Sequence, residues 1–144
     1  MAAFLGEFEY NIDSKGRLPI PPRFREEFRA GGVACFGLDK CIVVYPMSEW
    51  TKRAEALSKL PEMRSKDRRL SRFLFSGAFP FVLDANGRLA LPGVLRQYAE
   101  LKNTAIIAGL YHCLEIWSRE LWDQEMAEVR AQAAQLWERL ERRE

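Results

Sequence analysis

From Gly6 to Ile12 the apolar side chains Phe8, Tyr10 and Ile12 fall on every second residue, the period of a strand with one buried face. Asp13-Ser14-Lys15-Gly16 interrupts it with turn chemistry: an aspartate able to accept from the backbone ahead, and a glycine that reaches positive φ. The strand pattern resumes over Arg17 to Ile20. Pro21-Pro22 then ends it and sets up a helix from Arg23 to Arg29, which Gly31-Gly32 stops. Val33 to Leu38 and Cys41 to Tyr45 read as two further strands about a turn at Asp39-Lys40. Ser48 to Leu60 reads as a helix with Trp50, Ala54 and Leu57 on one face.

The pattern then starts again. Displaced by 71 positions, Phe4 to Phe28 falls on Phe75 to Ala99 with nine of 25 positions identical: Phe4/Phe75, Gly6/Gly77, Phe8/Phe79, Asp13/Asp84, Gly16/Gly87, Arg17/Arg88, Leu18/Leu89, Pro21/Pro92 and Arg25/Arg96. Ordinary residue usage would give roughly one or two. After a one-residue gap, Cys41-Ile42, Tyr45 and Trp50 fall on Cys113-Leu114, Trp117 and Trp122. The chain therefore divides into a first repeat over 4–60, a linker and short basic helix over 61–74, a second repeat over 75–122 and a C-terminal helical extension over 123–144. From Ser118 to Glu144, the residues Trp122, Met126, Val129, Ala133, Leu136 and Leu140 keep a heptad-like spacing, longer than the matching helix of the first repeat.

A unit of about seventy residues with short strands is marginal alone and leaves hairpin edges open. Two fused copies can complete one another. The expected fold is α+β: a pseudo-two-fold β-barrel or sandwich of interleaved hairpins with helices outside.

Composition narrows the class. A chain of 144 residues with 48% hydrophobic content can bury a core, which argues against disorder. With 22 Lys+Arg against 20 Asp+Glu the net charge is only +2, so any charged function must come from local clustering. Three Cys without C-x-x-C spacing fit neither a disulfide scaffold nor a zinc site, so no metal is expected and a reducing cytosol is. The start lacks a basic n-region, and the longest apolar stretch, Ala105 to Tyr111, is far below the roughly 20 residues that cross a bilayer. No membrane association is expected, and the expected location is the cytoplasm.

Candidate chemistry gathers at the two turns. Lys15 is a point charge suited to a phosphate, and Arg17 offers a planar fork for a phosphate or a guanine edge, with Asp13 able to hold it. The same residues also suit a plain hairpin turn. Arg23, Arg25 and Arg29 follow, so that Asp13 to Arg29 carries five basic residues against three acidic. The second turn has Asp84, Asn86, Gly87 and Arg88. The densest basic run, Arg64 to Arg72, holds five basic residues against one acidic; there Leu70, Phe73 and Leu74 are expected to bury one face and leave the arginines in solvent. By contrast, Ser118 to Glu144 holds five basic residues against seven acidic.

Enzyme readings fare worse. His112 and Cys113 are adjacent in a predicted strand and point to opposite faces, so they cannot pair with each other. Asp13 and Asp84 could meet across the pseudo-axis as an acid dyad, yet each is followed by an Arg, which suits recognition better. No phosphate-cradling Gly-rich loop and no H-E-x-x-H spacing is present. No enzyme activity, cofactor or small-molecule substrate is expected.

Phe4-Leu5-Gly6-Glu7-Phe8-Glu9, Asn11 to Pro21, Phe24-Arg25-Glu26-Glu27, Gly37 to Cys41, Arg72 to Ala78, Leu83-Asp84 with Gly87-Arg88, Leu91-Pro92, Leu95-Arg96 with Tyr98, and Glu115 to Ser118 together resemble the MraZ family of bacterial transcriptional regulators. The resemblance covers nearly the whole chain, up to about Trp122. It implies an AbrB-like swapped-hairpin barrel built twice in one chain, assembled into a closed homo-oligomeric ring, an octamer or dodecamer. It also implies binding of double-stranded DNA at short direct repeats upstream of the division and cell-wall gene cluster, repression of that cluster, and association with the nucleoid. The family's Asp-x-x-x-Arg signature falls on Asp13 with Arg17 and on Asp84 with Arg88. On this resemblance Lys15, Arg17, Arg23, Arg25, Asn86 and Arg88 are the DNA-binding residues, with Asp13, Gly16, Asp84 and Gly87 supporting the turns. The second turn has Ala85-Asn86 where a basic residue is often found, which implies weaker contact by that lobe. An antitoxin with an AbrB-like fold is the other reading, though such chains are usually single units with a disordered acidic tail.

Overall fold

Each repeat opens with a strand that leaves it. The structure, a computed structural model, describes residues 3–143. The first repeat comprises β1 (Glu7–Asn11), β2 (Arg17–Pro19), a 3₁₀ helix (Pro22–Phe28), β3 (Gly32–Phe36), β4 (Ile42–Pro46) and α1 (Met47–Ser58). After α2 (Ser65–Ser76) the order recurs as β5 (Phe79–Phe81), β6 (Arg88–Ala90), α3 (Gly93–Tyr98), β7 (Thr104–Gly109), β8 (Leu114–Trp117) and α4 (Arg119–Arg142). Within a repeat only the later hairpin pairs with itself, β3 with β4 and β7 with β8. The first strands cross over: β1 pairs with β7, and β5 with β3.

The result is a six-stranded antiparallel sheet in the order β1-β7-β8-β4-β3-β5, beside a two-stranded ribbon of β2 and β6. Exchanging the two repeats reverses that order and leaves it unchanged, so the pairing has a pseudo-two-fold axis. The axis passes between β4 and β8, where Ile42 faces Ile116 and Val44 faces Leu114, and through the ribbon, where Leu18 faces Leu89. Interleaving of hairpins is therefore present, as a six-stranded sheet and a separate ribbon.

Alternation in the sheet divides the core in two. On one face Ala34, Ile42, Val44, Ile107, Leu114 and Ile116 meet Leu18, Ile20, Leu89 and Leu91 of the ribbon strands and their extensions, with Phe24, Phe28 and Leu95 from the short helices. On the other, Cys35, Val43, Ile106, Ala108, Cys113 and Trp117 pack with Trp122 and Met126 of α4 and with Trp50 of α1. All three Cys belong to this second cluster. Ribbon, sheet and long helices thus form three layers, with the turns of the ribbon strands at the edge.

Several local expectations change. The helix expected after Pro21 is present as a 3₁₀ helix, entered through Pro21-Pro22 and followed by Gly31 at φ +86°, which turns the chain back. His112 and Cys113 lie in the β7–β8 connection rather than in a strand, because Tyr111 at φ +67° breaks the extended run. Helix α2 buries no residue fully: Phe73 and Leu74 are half-buried, while Leu70 and Phe75 are exposed. It leans on the end of β3, with the Phe73 ring 5.2 Å from Phe36, and leaves a groove of about 420 Å³ against α1 that involves Trp50, Leu57, Leu70 and Leu74.

Ser118 caps α4, its Oγ accepting from Leu121 N at 3.1 Å. With 24 residues against 12 in α1, α4 outruns the sheet, and every residue from Arg130 to Arg143 is exposed. Glu144, included in the predicted helix, lies outside the described residues. No helix among the described residues is long and apolar enough to cross a membrane.

Candidate nucleic-acid interface

The two Asp-x-x-Gly-Arg turns close by the same five hydrogen bonds. In the first, Asp13 N donates to Arg17 O and Gly16 N to Asp13 O, each at 3.0 Å. The Asp13 carboxylate then reaches forward: Oδ1 accepts from Lys15 N and Arg17 N, both at 2.9 Å, and Oδ2 accepts from Arg17 Nε at 2.6 Å. In the second, Asp84 N donates to Arg88 O at 3.0 Å and Gly87 N to Asp84 O at 2.9 Å. Oδ1 of Asp84 accepts from Asn86 N and Arg88 N at 2.9 Å, and Oδ2 from Arg88 Nε at 2.8 Å. Gly16 and Gly87 sit at φ +78° and +74°, the left-handed region that a glycine enters without a Cβ penalty.

Such a turn orients its arginines, which are half-buried. Each Arg is held to its Asp through Nε, and among the described residues no hydrogen bond uses the terminal nitrogens of Arg17 or Arg88. Lys15 and Asn86 occupy equivalent tip positions and are exposed. The ribbon pairing brings the turns together: Arg88 Nη1 stands 3.7 Å from Asp13 Oδ2, so Asp13 lies between the arginines of both repeats. Residues of two turns far apart in the chain thus meet in space, with the Lys15 and Asn86 tips at opposite ends of the short antiparallel ribbon.

Backbone donation, first of all from the Arg17 amide, holds the Asp13 carboxyl below its ordinary value, against an opposing contribution from burial. The Arg88 amide does the same for Asp84. Both carboxyls thus favour the charged form. An acid dyad sharing a proton needs one carboxyl raised, so the geometry opposes that arrangement.

The remaining basic candidates divide. Arg23 is exposed and lies over the Phe8 ring, 5.2 Å from its centroid. Arg25 is half-buried, with Nε donating to Ile20 O at 2.8 Å and its guanidinium against Gly87 of the other repeat. Arg96, absent from the sequence-based candidates, repeats this arrangement against Gly16, with Nε donating to Leu91 O at 3.1 Å. The identity of Arg25 and Arg96 in the repeat alignment was the signal that could have found it. In the basic run, Arg68 is spent on the carbonyls of Glu62 and Met63 at 2.9 and 3.1 Å, capping the approach to α2, and Arg64, Lys66, Arg69 and Arg72 are exposed.

Nucleophilic chemistry finds no support in the cysteines. Burial pushes the Cys35 thiol up to about 12 and Cys113 to about 11, and raises Cys41 as well. His112 is largely exposed, and its Nδ1 stands 3.8 Å from Glu49 Oε1. No group of His, Cys, Asp and Glu among the described residues is arranged to hold a metal.

The chain matches a family model described as "MraZ protein, putative antitoxin-like" twice, over residues 3–73 and 74–143. It is 46% identical over 139 residues to a protein of Dehalococcoides mccartyi named transcriptional regulator MraZ, covering 96% of this chain and 98% of that one. A protein of the same name from Desulforamulus reducens is 44% identical over 137 residues, covering 95% and 96% of the two chains. A third, from Roseiflexus sp., is 45% identical over 131 residues, covering 91% and 92%. With the doubled turn matched twice by one family model and full-length relatives all named as transcriptional regulators, the chain belongs to the MraZ family.

Proposed function

We propose that the protein regulates transcription by sequence-specific binding to double-stranded DNA through its two turns. The observation that supports this reading is the approach of Arg88 to Asp13, which brings side chains of two turns far apart in the chain into contact. Arg17 and Arg88, already oriented by their aspartates, offer terminal nitrogens to base edges or phosphates. Lys15 and Arg23 supply phosphate contacts that set register. Asn86 replaces a cation at the second tip, so the second turn adds less of the sequence-independent attraction. A bidentate Arg to guanine contributes roughly 1 to 3 kcal/mol of discrimination.

On this reading the interleaved strands are an AbrB-like swapped-hairpin barrel. A single protomer then has too few cations to bind tightly, and a closed ring of eight or twelve copies, as the family resemblance implies, sums weak contacts to direct repeats through raised effective concentration. The target is the division and cell-wall gene cluster, repressed from sites upstream of it, and the protein works in the cytoplasm at the nucleoid without a cofactor or catalytic step. An antitoxin-like role has less support, since α4 is helical through Arg142 where a toxin-wrapping acidic tail would be unstructured.

The test is fluorescence anisotropy with duplexes containing or lacking direct repeats, over a salt series, for the parent and Arg17→Ala. The expected result is a preference for the repeats, with Arg17→Ala weakening binding and lowering the salt slope by about one per engaged protomer. Equal affinity in all four combinations would overturn the reading.

A further inference from the structure

We infer that Arg25 and Arg96 are positioning residues that act across the pseudo-two-fold axis, each holding the DNA-facing turn of the other repeat; this rests on the function proposed above. The two occupy equivalent places, Arg25 in the 3₁₀ helix and Arg96 in α3. Each donates Nε to a carbonyl of its own repeat, Ile20 O for Arg25 and Leu91 O for Arg96. The amides of those same two residues reach across: Leu91 N donates to Gly16 O at 2.9 Å, and Ile20 N to Gly87 O at 3.0 Å.

The guanidinium completes the hold. A methyl placed on Gly16 would stand 2.8 Å from Arg96 Cζ, and one on Gly87 would overlap Arg25, so each guanidinium packs directly over the glycine of the opposite turn. Every turn glycine is thereby pinned twice by the other repeat, at its carbonyl by a peptide N–H and at its α-carbon by an arginine. Gly16 and Gly87 are buried, whereas Lys15 and Asn86 beside them are exposed. The pinned residue therefore anchors a tip whose neighbours face outward. The arrangement needs glycine below for lack of a Cβ, and arginine above because its planar group can lie flat while Nε still donates; an ammonium cannot do both. Ordering the tip before DNA arrives lowers the entropy lost on binding.

The experiment uses full-length Arg96→Met and Arg25→Met, which keep side-chain length, and reads amide hydrogen exchange by NMR together with DNA binding over a salt series. Arg96→Met is expected to speed exchange at Lys15 and Arg17 about tenfold while Asn86 and Arg88 stay within about twofold; Arg25→Met does the reverse. The dissociation constant for a repeat-bearing duplex rises about tenfold in each, with the salt slope unchanged, where Arg17→Ala lowers that slope by about one per engaged protomer. Arg96→Lys, which keeps the charge, does not restore slow exchange, and it carries the same comparison should the methionine variant not fold. Faster exchange in the variant's own turn, in both turns equally or in neither would overturn the inference. So would a salt slope reduced by about one per engaged protomer, the mark of a direct phosphate contact. If the parent binds no duplex at any salt the proposed function fails, while the exchange measurements still decide whether the arginines hold the turns.

Discussion

Arg88 of the second repeat leans on Asp13 of the first: its Nη1 stands 3.7 Å from the same Oδ2 that Arg17 Nε holds at 2.6 Å. Among the described residues no matching ion pair joins Arg17 to Asp84, so the pseudo-symmetry is broken at this point. Asp13 organises its own turn and also touches the other, whereas Asp84 serves one.

The carboxyls of Asp13 and Asp84 are both held below the ordinary Asp value, chiefly by backbone amides. In the folded state they bind fewer protons than in the unfolded chain, so their contribution is complete above about pH 4 and is lost as the pH falls through the lowered folded values. Carboxyl ¹³C NMR titration should place both midpoints below about 3.9, and protonation should speed exchange at the Lys15, Arg17, Asn86 and Arg88 amides. A midpoint at or above that value for either residue contradicts the turn geometry.

Leu18 and Leu89 face each other in the ribbon and are fully buried. Truncation of either to Ala removes packing from the junction between repeats and is expected to cost about 2 to 5 kcal/mol in urea unfolding. Because the two touch one region, the double variant should depart from additivity by more than about 0.5 kcal/mol. Leu136 on the outer half of α4 is 44% exposed, and Leu136→Ala should stay within about 0.5 kcal/mol. Similar costs at Leu18 and Leu136 would mean that the ribbon does not join the repeats.

The three thiols are buried, and their raised titration keeps them protonated at neutral pH. An aromatic disulfide reagent at pH 8 should therefore find almost no reactive thiol in the native protein and all three after unfolding in urea. Rapid reaction of one thiol in the native state would show that the layer between the sheet and α4, where Trp117 meets Trp122, opens without global unfolding.

Much of the local structure was legible because its causes are local. An aspartate four residues before an arginine, with glycine between, finds hydrogen-bond partners within its own turn, and the Asp13 and Asp84 turns do so with matching bonds. Alternating Phe8 and Tyr10 marked β1, and Ser118 ahead of a long apolar-periodic run marked the start of α4. The repeat alignment also showed which residues would be equivalent.

Partnership is another matter. Leu18 opposite Leu89, β1 on β7 and β5 on β3 arise because each repeat's first strand finds the other's hairpin edge, a choice between pairings with the same local pattern. The sequence offered Arg25 as a DNA-binding residue; only the approach of the second repeat places it over Gly87 and gives Arg96 the matching place over Gly16. The exposed face of α2 had the spacing of a buried one, but burial needs a surface to lie against, and beyond the Phe36 end of β3 the helix leaves a groove. The sequence by itself determined the duplicated turn, its internal hydrogen bonds and the α+β class, because these follow from interactions within a few residues. Tertiary structure decided which repeat completes which, and so which arginine stands beside Asp13 and which are held against a turn glycine, because those depend on contacts between segments about seventy residues apart.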